Sequence, residues 1–271
     1  MHEGVHELAT PENLGGIANV GFVLGDEAVA GMDTGGCARA GTRLRASVRQ
    51  LTDLPIRYVI ASHVHPDHLF GHAAFAADRP TFVGHAKLPV ALAMRGDYYL
   101  EDLRARLGEL ADGTELVAPT LLVSDRAELD LGGRTLTVVA HPTAHTDNDI
   151  SVFDQVTGTL WLADLLFMER TPVIDGSLLG WLEVLNTVVG WPAERVVPGH
   201  GPARAPWPAA AADQVRYLER LRDEVRALIA AGATIDEAIA DVGTAERASW
   251  QLFEFYHPRN VTAAFAELEW E

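Results

Sequence analysis

From Ser62 to His68 the chain reads Ser-His-Val-His-Pro-Asp-His, which places three histidines and an aspartate within six residues. Few purposes other than holding a metal require that density in that order. The largely apolar stretch before it, Ile56 to Ala61, reads as a buried strand. Residues two apart at a strand's end point the same way, so His63 and His65 can approach one metal together. Pro66 is tolerated in a first helical turn, and the pattern predicts a helix from Asp67 to about Ala77. Asp67 and His68 therefore leave the strand in another direction. Two donor pairs aimed differently suit two ions better than one. Imidazole with carboxylate favours zinc, while iron and manganese accept the same donors.

A reactive metal with an open position needs at least three protein donors, so more should arrive at later strand ends. Arg134 to Ala140 is a strand candidate after the Gly132-Gly133 turn, and it runs into His141-Pro-Thr-Ala-His145-Thr. Thr159 to Ala163 follows the Thr157-Gly158 turn and delivers Asp164. Arg195 to Val197 ends in Pro198-Gly199-His200-Gly201, where glycines let the backbone come close to a ligand site. His145 competes with His141 for the third position. Asp164 could instead cap the next segment, and His200 could be an ordinary turn residue. His72 lies four residues after His68, on the same face if the helix continues, and is either a neighbour of the ligands or a packed histidine. His2, His6, His85 and His257 have no partner pattern. Cys37 stands alone in a glycine-rich loop, where a small buried thiol is the default.

The ordered set His63, His65, Asp67, His68, His145, Asp164 and His200 resembles the complete ligand series of the metallo-β-lactamase-fold hydrolase superfamily. The resemblance spans most of the chain. It implies an α/β fold, the αββα four-layer sandwich, with C-terminal helices. It also implies His63, His65 and His145 on one metal, Asp67, His68 and His200 on the other, and Asp164 bridging. Some β-lactamases of the superfamily carry cysteine at the bridging position. The aspartate here resembles the hydrolase majority, which includes glyoxalase II, lactonases and the third β-lactamase subclass. A narrower resemblance rests on Thr10-Pro-Glu-Asn, Ile17-Ala-Asn-Val-Gly-Phe, Asp33-Thr-Gly-Gly, Arg170-Thr-Pro-Val-Ile-Asp-Gly-Ser and Glu267-Leu-Glu-Trp270. These segments look like the quinoprotein relay system zinc metallohydrolases, the SoxH-like group.

The expected cofactor is two zinc ions per chain. Ions about 3.5 to 4 Å apart share a water and lower its pKa from 15.7 to roughly 7. The resulting metal-bridging hydroxide would cleave an ester, thioester, lactone or amide bond of a small substrate, with Asp67 steering the proton. No Gly-x-Ser-x-Gly elbow offers a serine nucleophile instead. One alternative is a β-lactamase proper, which the Asp164 series permits. Another is a mononuclear iron oxygenase using His63, His65 and Asp164 as a facial triad, which would leave His68 and His200 without a purpose.

Substrate contacts should come from connecting segments. Arg170, Ser177 and Trp181 follow Asp164, and Tyr98 lies in the Met94 to Tyr99 segment. Arg170 could meet a substrate carboxylate or hold Asp175 in a salt bridge, and the aromatics could equally pack a core or lid. The chain's 21 basic against 38 acidic residues give −17, which repels phosphate backbones and disfavours a nuclease or any nucleic-acid partner. No apolar run reaches 18 residues, so no membrane span is expected. A single cysteine excludes an internal disulfide. No signal peptide is visible, yet the abrupt start at His2-Glu3-Gly4 is what a trimmed, periplasmic mature chain would show; an untrimmed one would be cytoplasmic.

The 271 residues fit a single domain, residues 1–271, with sandwich halves from Ile17 to about Thr114 and from Glu115 through His200. Ala209 to Ala231 carries Val215, Leu218, Leu221, Val225 and Leu228 at helical spacing, an amphipathic helix packed on the body or serving a homodimer. Thr234 and Glu237 form a capping-box pattern opening a helix to about Val242, and Arg259 to Leu268 predicts a last helix after Pro258.

Overall fold

The computed structural model describes residues 13–271. His2, His6, the chain start and Thr10-Pro-Glu lie outside the described residues. The chain forms two compact units, one of residues up to Ala140 together with Ile150–Thr157, the other of His141–Asp149 together with Gly158–Glu271. Both are mixed α/β.

In the first unit, β1 (Gly21–Leu24), β2 (Val29–Met32), β3 (Ile56–Ile60), β4 (Thr81–His85) and β5 (Leu121–Val123) lie side by side in chain order. β1 and β2 pair antiparallel, and the later neighbours pair parallel. Parallel neighbours need long crossovers, which α1 (Ala38–Leu51) and α3 (Leu88–Leu107) supply. A strand inside a parallel sheet wants apolar side chains, and β3 supplies them at buried Ile56, Val59 and Ile60, while Arg57 reaches out to Asp130 O at 2.8 Å. Ile56 and Val59 join a cluster with Val29, Val48 and Phe75, while Ala61 joins another with Val64, Leu69, Phe70 and Leu88. Three further strands, β6 (Arg126–Asp130), β7 (Thr135–Ala140) and β8 (Ile150–Asp154), form an antiparallel meander. The β6–β7 turn requires Gly132 and Gly133, at φ 77° and 62°, because two successive left-handed residues suit the twist of a tight hairpin.

The helix expected from Asp67 to Ala77 is broken. α2 covers only Pro66–Leu69, and a 3-10 helix, His72–Asp78, resumes after Gly71. The break has a steric reason. Gly71 N–H donates to Gly35 O at 2.8 Å, and a Cβ on Gly71 would lie 2.1 Å from Thr34 O, so the chain is pressed against the β2–α1 loop there.

In the second unit β9 (Thr159–Phe167) pairs parallel with β10 (Arg195–His200), and β11 (Ala205–Pro206) pairs antiparallel with β10. Both long strands run past their expected ends, so Asp164 lies inside β9 and His200 closes β10. α4 (Leu178–Val188), α5 (Ala212–Ala230), α6 (Ile235–Asp241) and α7 (Phe253–Leu268) complete the unit. α5 buries Leu218, Leu221 and Val225, the stripe read from the sequence. α6 opens on the expected capping box at Thr234 and Glu237. α7 starts one and a half turns earlier than expected and contains Pro258. Phe253, Tyr256 and His257 are buried on that first stretch, and their burial offsets the backbone hydrogen bond that proline cannot donate. Among the described residues no helix is long and apolar enough to cross a membrane.

Candidate metal centre

In the first unit the chain leaves β3 through Ala61 and Ser62 into His63-Val64-His65. Asp33, directly after β2 and 3% exposed, ties this loop at both ends. Its Oδ1 accepts from Ser62 N at 2.8 Å, and its Oδ2 accepts from His68 Nδ1 at 2.8 Å. A carboxylate only accepts, so the proton of a neutral His68 ring is on Nδ1 and the lone pair is on Nε2. Asp33 does this from a left-handed backbone at φ 51°, a strained state for a non-glycine residue. Thr34 adds a second tie: its N–H donates to His68 O at 2.6 Å, and its hydroxyl lies 2.7 Å from His72 Nδ1. His72 is thus a packed residue beneath the loop, its ring stacked on Phe82. Burial pushes its pKa down to about 3.

His63 Nε2 faces His65 Nδ1 at 3.0 Å. Two nitrogens held roughly 2.0–2.1 Å from one tetrahedral ion would stand about 3.3 Å apart, so the pair is spaced as metal donors are. Asp67 Oδ2 lies 3.6 Å from His68 Nε2, and the Asp67 side chain keeps 19% of its surface open.

In the second unit His145 sits in a loop closed by its own polar groups. Thr146 N and Oγ1 both donate to the Asp149 carboxylate, at 2.8 and 2.7 Å, and His141 N donates to Asp149 O at 3.0 Å. His145 is fully buried, and its Nδ1 donates to Val173 O at 2.7 Å, which leaves Nε2 as the donor nitrogen of a neutral ring. That Nε2 lies 3.4 Å from Asp164 Oδ2, and His200 Nε2 lies 3.3 Å from the same oxygen. One carboxylate oxygen therefore stands between two imidazoles. His141 instead stacks on Trp191.

The approach of β10 to β9 depends on Gly199, where a Cβ would fall 1.8 Å from Asp164 Oδ1. Ala163, just before Asp164, has φ 46°, and the β9–β10 register shifts at Pro198. The strands thus bend where the aspartate must turn inward. These imidazole nitrogens and carboxylate oxygens, buried at His63, His68, His145, Asp164 and His200 and partly open at His65 and Asp67, are donors that suit zinc, and equally iron or manganese.

The residues expected to touch substrate fare differently. Trp181 lies in the core. It is fully buried, its indole N–H donates to Leu165 O at 2.9 Å, and its ring lies 5.3 Å from that of His145, so it braces the histidine from inside the core. Ser177 caps α4: its hydroxyl accepts from Gly180 N at 2.9 Å and donates to Glu267 at 2.6 Å. Tyr98 is exposed on α3, and its neighbour Tyr99 lies 6.4 Å from the His65 ring. Arg170 is half-buried and pairs with Gln251 in an isolated bridge. In the sequence Asp33 stands out only as part of the Asp33-Thr-Gly-Gly segment. The signal for its role was an aspartate set directly at the end of a buried strand, Val29–Met32. Val173 acts through its backbone carbonyl, which no side-chain pattern announces.

Comparison with known proteins adds family. Residues 14–200 match the model described as "Metallo-beta-lactamase superfamily". The chain is similar to the "Acyl-coenzyme A thioesterase MBLAC2" of Bos taurus, 30% identical over 222 residues, 69% of this chain and 74% of that protein. It is also similar to the "Linear primary-alkylsulfatase" of Pseudomonas sp. (strain ATCC 19151), 23% identical over 207 residues, 63% of this chain and 39% of that protein. Among solved structures, the stereoselective inverting sec-alkylsulfatase Pisa1 from Pseudomonas sp. shares the fold at a TM-score of 0.71 and 16% identity, over 95% of this chain and 47% of that one. The chain thus spans less than half the length of the sulfatases it matches.

Proposed function

The chain belongs to the metallo-β-lactamase superfamily, and from that premise we propose that it is a di-zinc hydrolase of small ester, thioester, lactone or amide substrates. His63, His65 and His145 would hold one ion, Asp67, His68 and His200 the other, with Asp164 shared. The observation that carries this reading is the single Asp164 oxygen, 3.4 Å from His145 Nε2 and 3.3 Å from His200 Nε2. Those distances suit a carboxylate that serves two ions at once. When bound, the ions supply Lewis acidity and a water whose pKa is lowered to about 7.

The protein's own groups do the rest. Val173 O and the Asp33 carboxylate keep the Nδ1 protons of His145 and His68 occupied, so both rings present Nε2. Asp67, the partly open carboxylate, is the group we assign to accept a proton from the attacking water. Among the candidate bonds the acyl thioester ranks first, supported by the thioesterase relative.

Metal analysis of protein purified without added metal, paired with hydrolysis assays, tests the reading. The assays use an acyl-CoA thioester, a lactone, an alkyl sulfate and a chromogenic cephalosporin. Near two zinc per chain and turnover of the thioester is the expected result. One iron per chain with no hydrolysis overturns it. Cephalosporin turnover with kcat of about 1 to 10³ per second would make the chain a β-lactamase instead.

A further inference from the structure

We propose that Asn260 of α7 is a positioning residue for His145, acting through the backbone of Pro172–Ile174. The inference rests on the assignment of His145 as a ligand, and it lies in a part of the chain beyond the matched segment 14–200. His145 Nδ1 donates to Val173 O at 2.7 Å. The residues on either side of Val173 are both held by one side chain. Asn260 Nδ2 donates to Pro172 O at 2.6 Å, and Ile174 N donates to Asn260 Oδ1 at 3.0 Å. A proline carbonyl needs a donor and a backbone N–H needs an acceptor, so a carboxamide fits this pair of sites where a carboxylate or an alkyl group does not.

The orientation of the amide is locked. Asn260 is fully buried, and its Nδ2 also donates to Tyr217 Oη at 2.9 Å. Tyr217 Oη lies 2.9 Å from His257 Nδ1, and His257 Nε2 lies 2.8 Å from Val242 O. A carbonyl only accepts, so His257 carries its proton on Nε2. Its Nδ1 then accepts from the tyrosine hydroxyl, and the tyrosine oxygen accepts from Asn260. Donation thus runs from Ile174 N through Asn260, Tyr217 and His257 to Val242 O, and the second Asn260 Nδ2 proton is left for Pro172 O. The segment under His145 is hooked to the histidine a second time, because Asp175 N donates to His145 O at 3.0 Å. Partners that orient a metal-binding histidine through its second nitrogen tune affinity as strongly as the ligands' own surroundings do.

The test compares Asn260→Asp with Tyr217→Phe in the full-length protein. The aspartate is the same size but turns the donor facing Pro172 O into an acceptor. The phenylalanine loosens the same core yet leaves both backbone bonds in place. Zinc affinity is measured by competition with a chromophoric chelator. The His145 tautomer is read by NMR in the 15N-histidine-labelled, metal-free protein.

Asn260→Asp should weaken zinc binding about 10- to 100-fold and destroy the pure Nδ1–H form of His145, while Tyr217→Phe changes neither. If both variants lose stability but keep wild-type zinc affinity and tautomer, Asn260 is only structural and the inference falls. Should Asn260→Asp fail to fold, Asn260→Ser, neutral and smaller, gives the same comparison. A wild-type protein that binds no zinc would sink the ligand assignment, and the tautomer would still decide the role of Asn260.

Discussion

Gly199 shows how narrowly the candidate metal centre is fitted at the scale of single residues. A methyl group there would overlap Asp164 Oδ1 and approach Ala163 C within 2.7 Å, both parts of the strand β9 that must lie alongside. Gly199→Ala is expected to cost about 1 to 3 kcal/mol in urea unfolding and to abolish hydrolysis, since the strand cannot shift without moving Asp164. His72 supports a second expectation. Its folded pKa of about 3 lies below the usual 6.5, so the unfolded chain takes up a proton that the folded protein refuses. Its contribution to stability is therefore whole above pH 6.5 and is lost as the pH falls from there toward about 3. The urea midpoint of metal-free protein should fall across that range, and His72→Gln should show a shallower fall. The candidate donors stand out in the sequence because imidazole and carboxylate groups clustered at strand ends have few other uses. Asp33 and Val173 were harder to see. The one works by supporting His68 and the other by a carbonyl, so neither carries the mark of a ligand in its own side chain.

Individual elements divide in the same way. The α6 capping box was readable because it is a local contract between Thr234 and Glu237, three residues apart, and it is present with Glu237 Oε2 accepting from Thr234 N at 2.7 Å. The break of the expected 67–77 helix was not readable, since it is imposed by the Thr34 and Gly35 backbone, far away in sequence. Pro258 misled for a similar reason: proline marks a helix boundary unless distant packing, here around Phe253 and Tyr256, holds the preceding turn in place. α4 starts on a cap that is partly local and partly borrowed. Ser177 accepts from Gly180 N, while Glu267 of α7 accepts from Ser177 Oγ and from Leu178 N at 2.7 Å. Ser177→Ala should lower stability by about 1 kcal/mol, measured by chemical denaturation, with substrate affinity unchanged because the hydroxyl is spent inside the protein.

For the molecule as a whole, bound zinc should couple to stability. Ligands that bind only the folded chain stabilise it by mass action, about 2.7 kcal/mol at a free concentration of 100 times Kd. Chelation should therefore lower the melting temperature, and restoring zinc should return it; an unchanged melting curve would count against the metal centre. The division of the chain also sets the order in which the protein can be made. Neither unit is one continuous length, since the first is completed only by Ile150–Thr157 and the second already begins with His141–Asp149. A ribosome adding roughly 5 to 20 residues per second finishes the first unit only after His145 has been made. A gene divided at Thr157 would likewise encode one fragment carrying His63, His65, Asp67, His68 and His145, and another carrying Asp164 and His200. No single cut yields one fragment per unit, so reconstitution from two pieces would have to trade the His141–Asp149 loop or the Ile150–Thr157 segment between them.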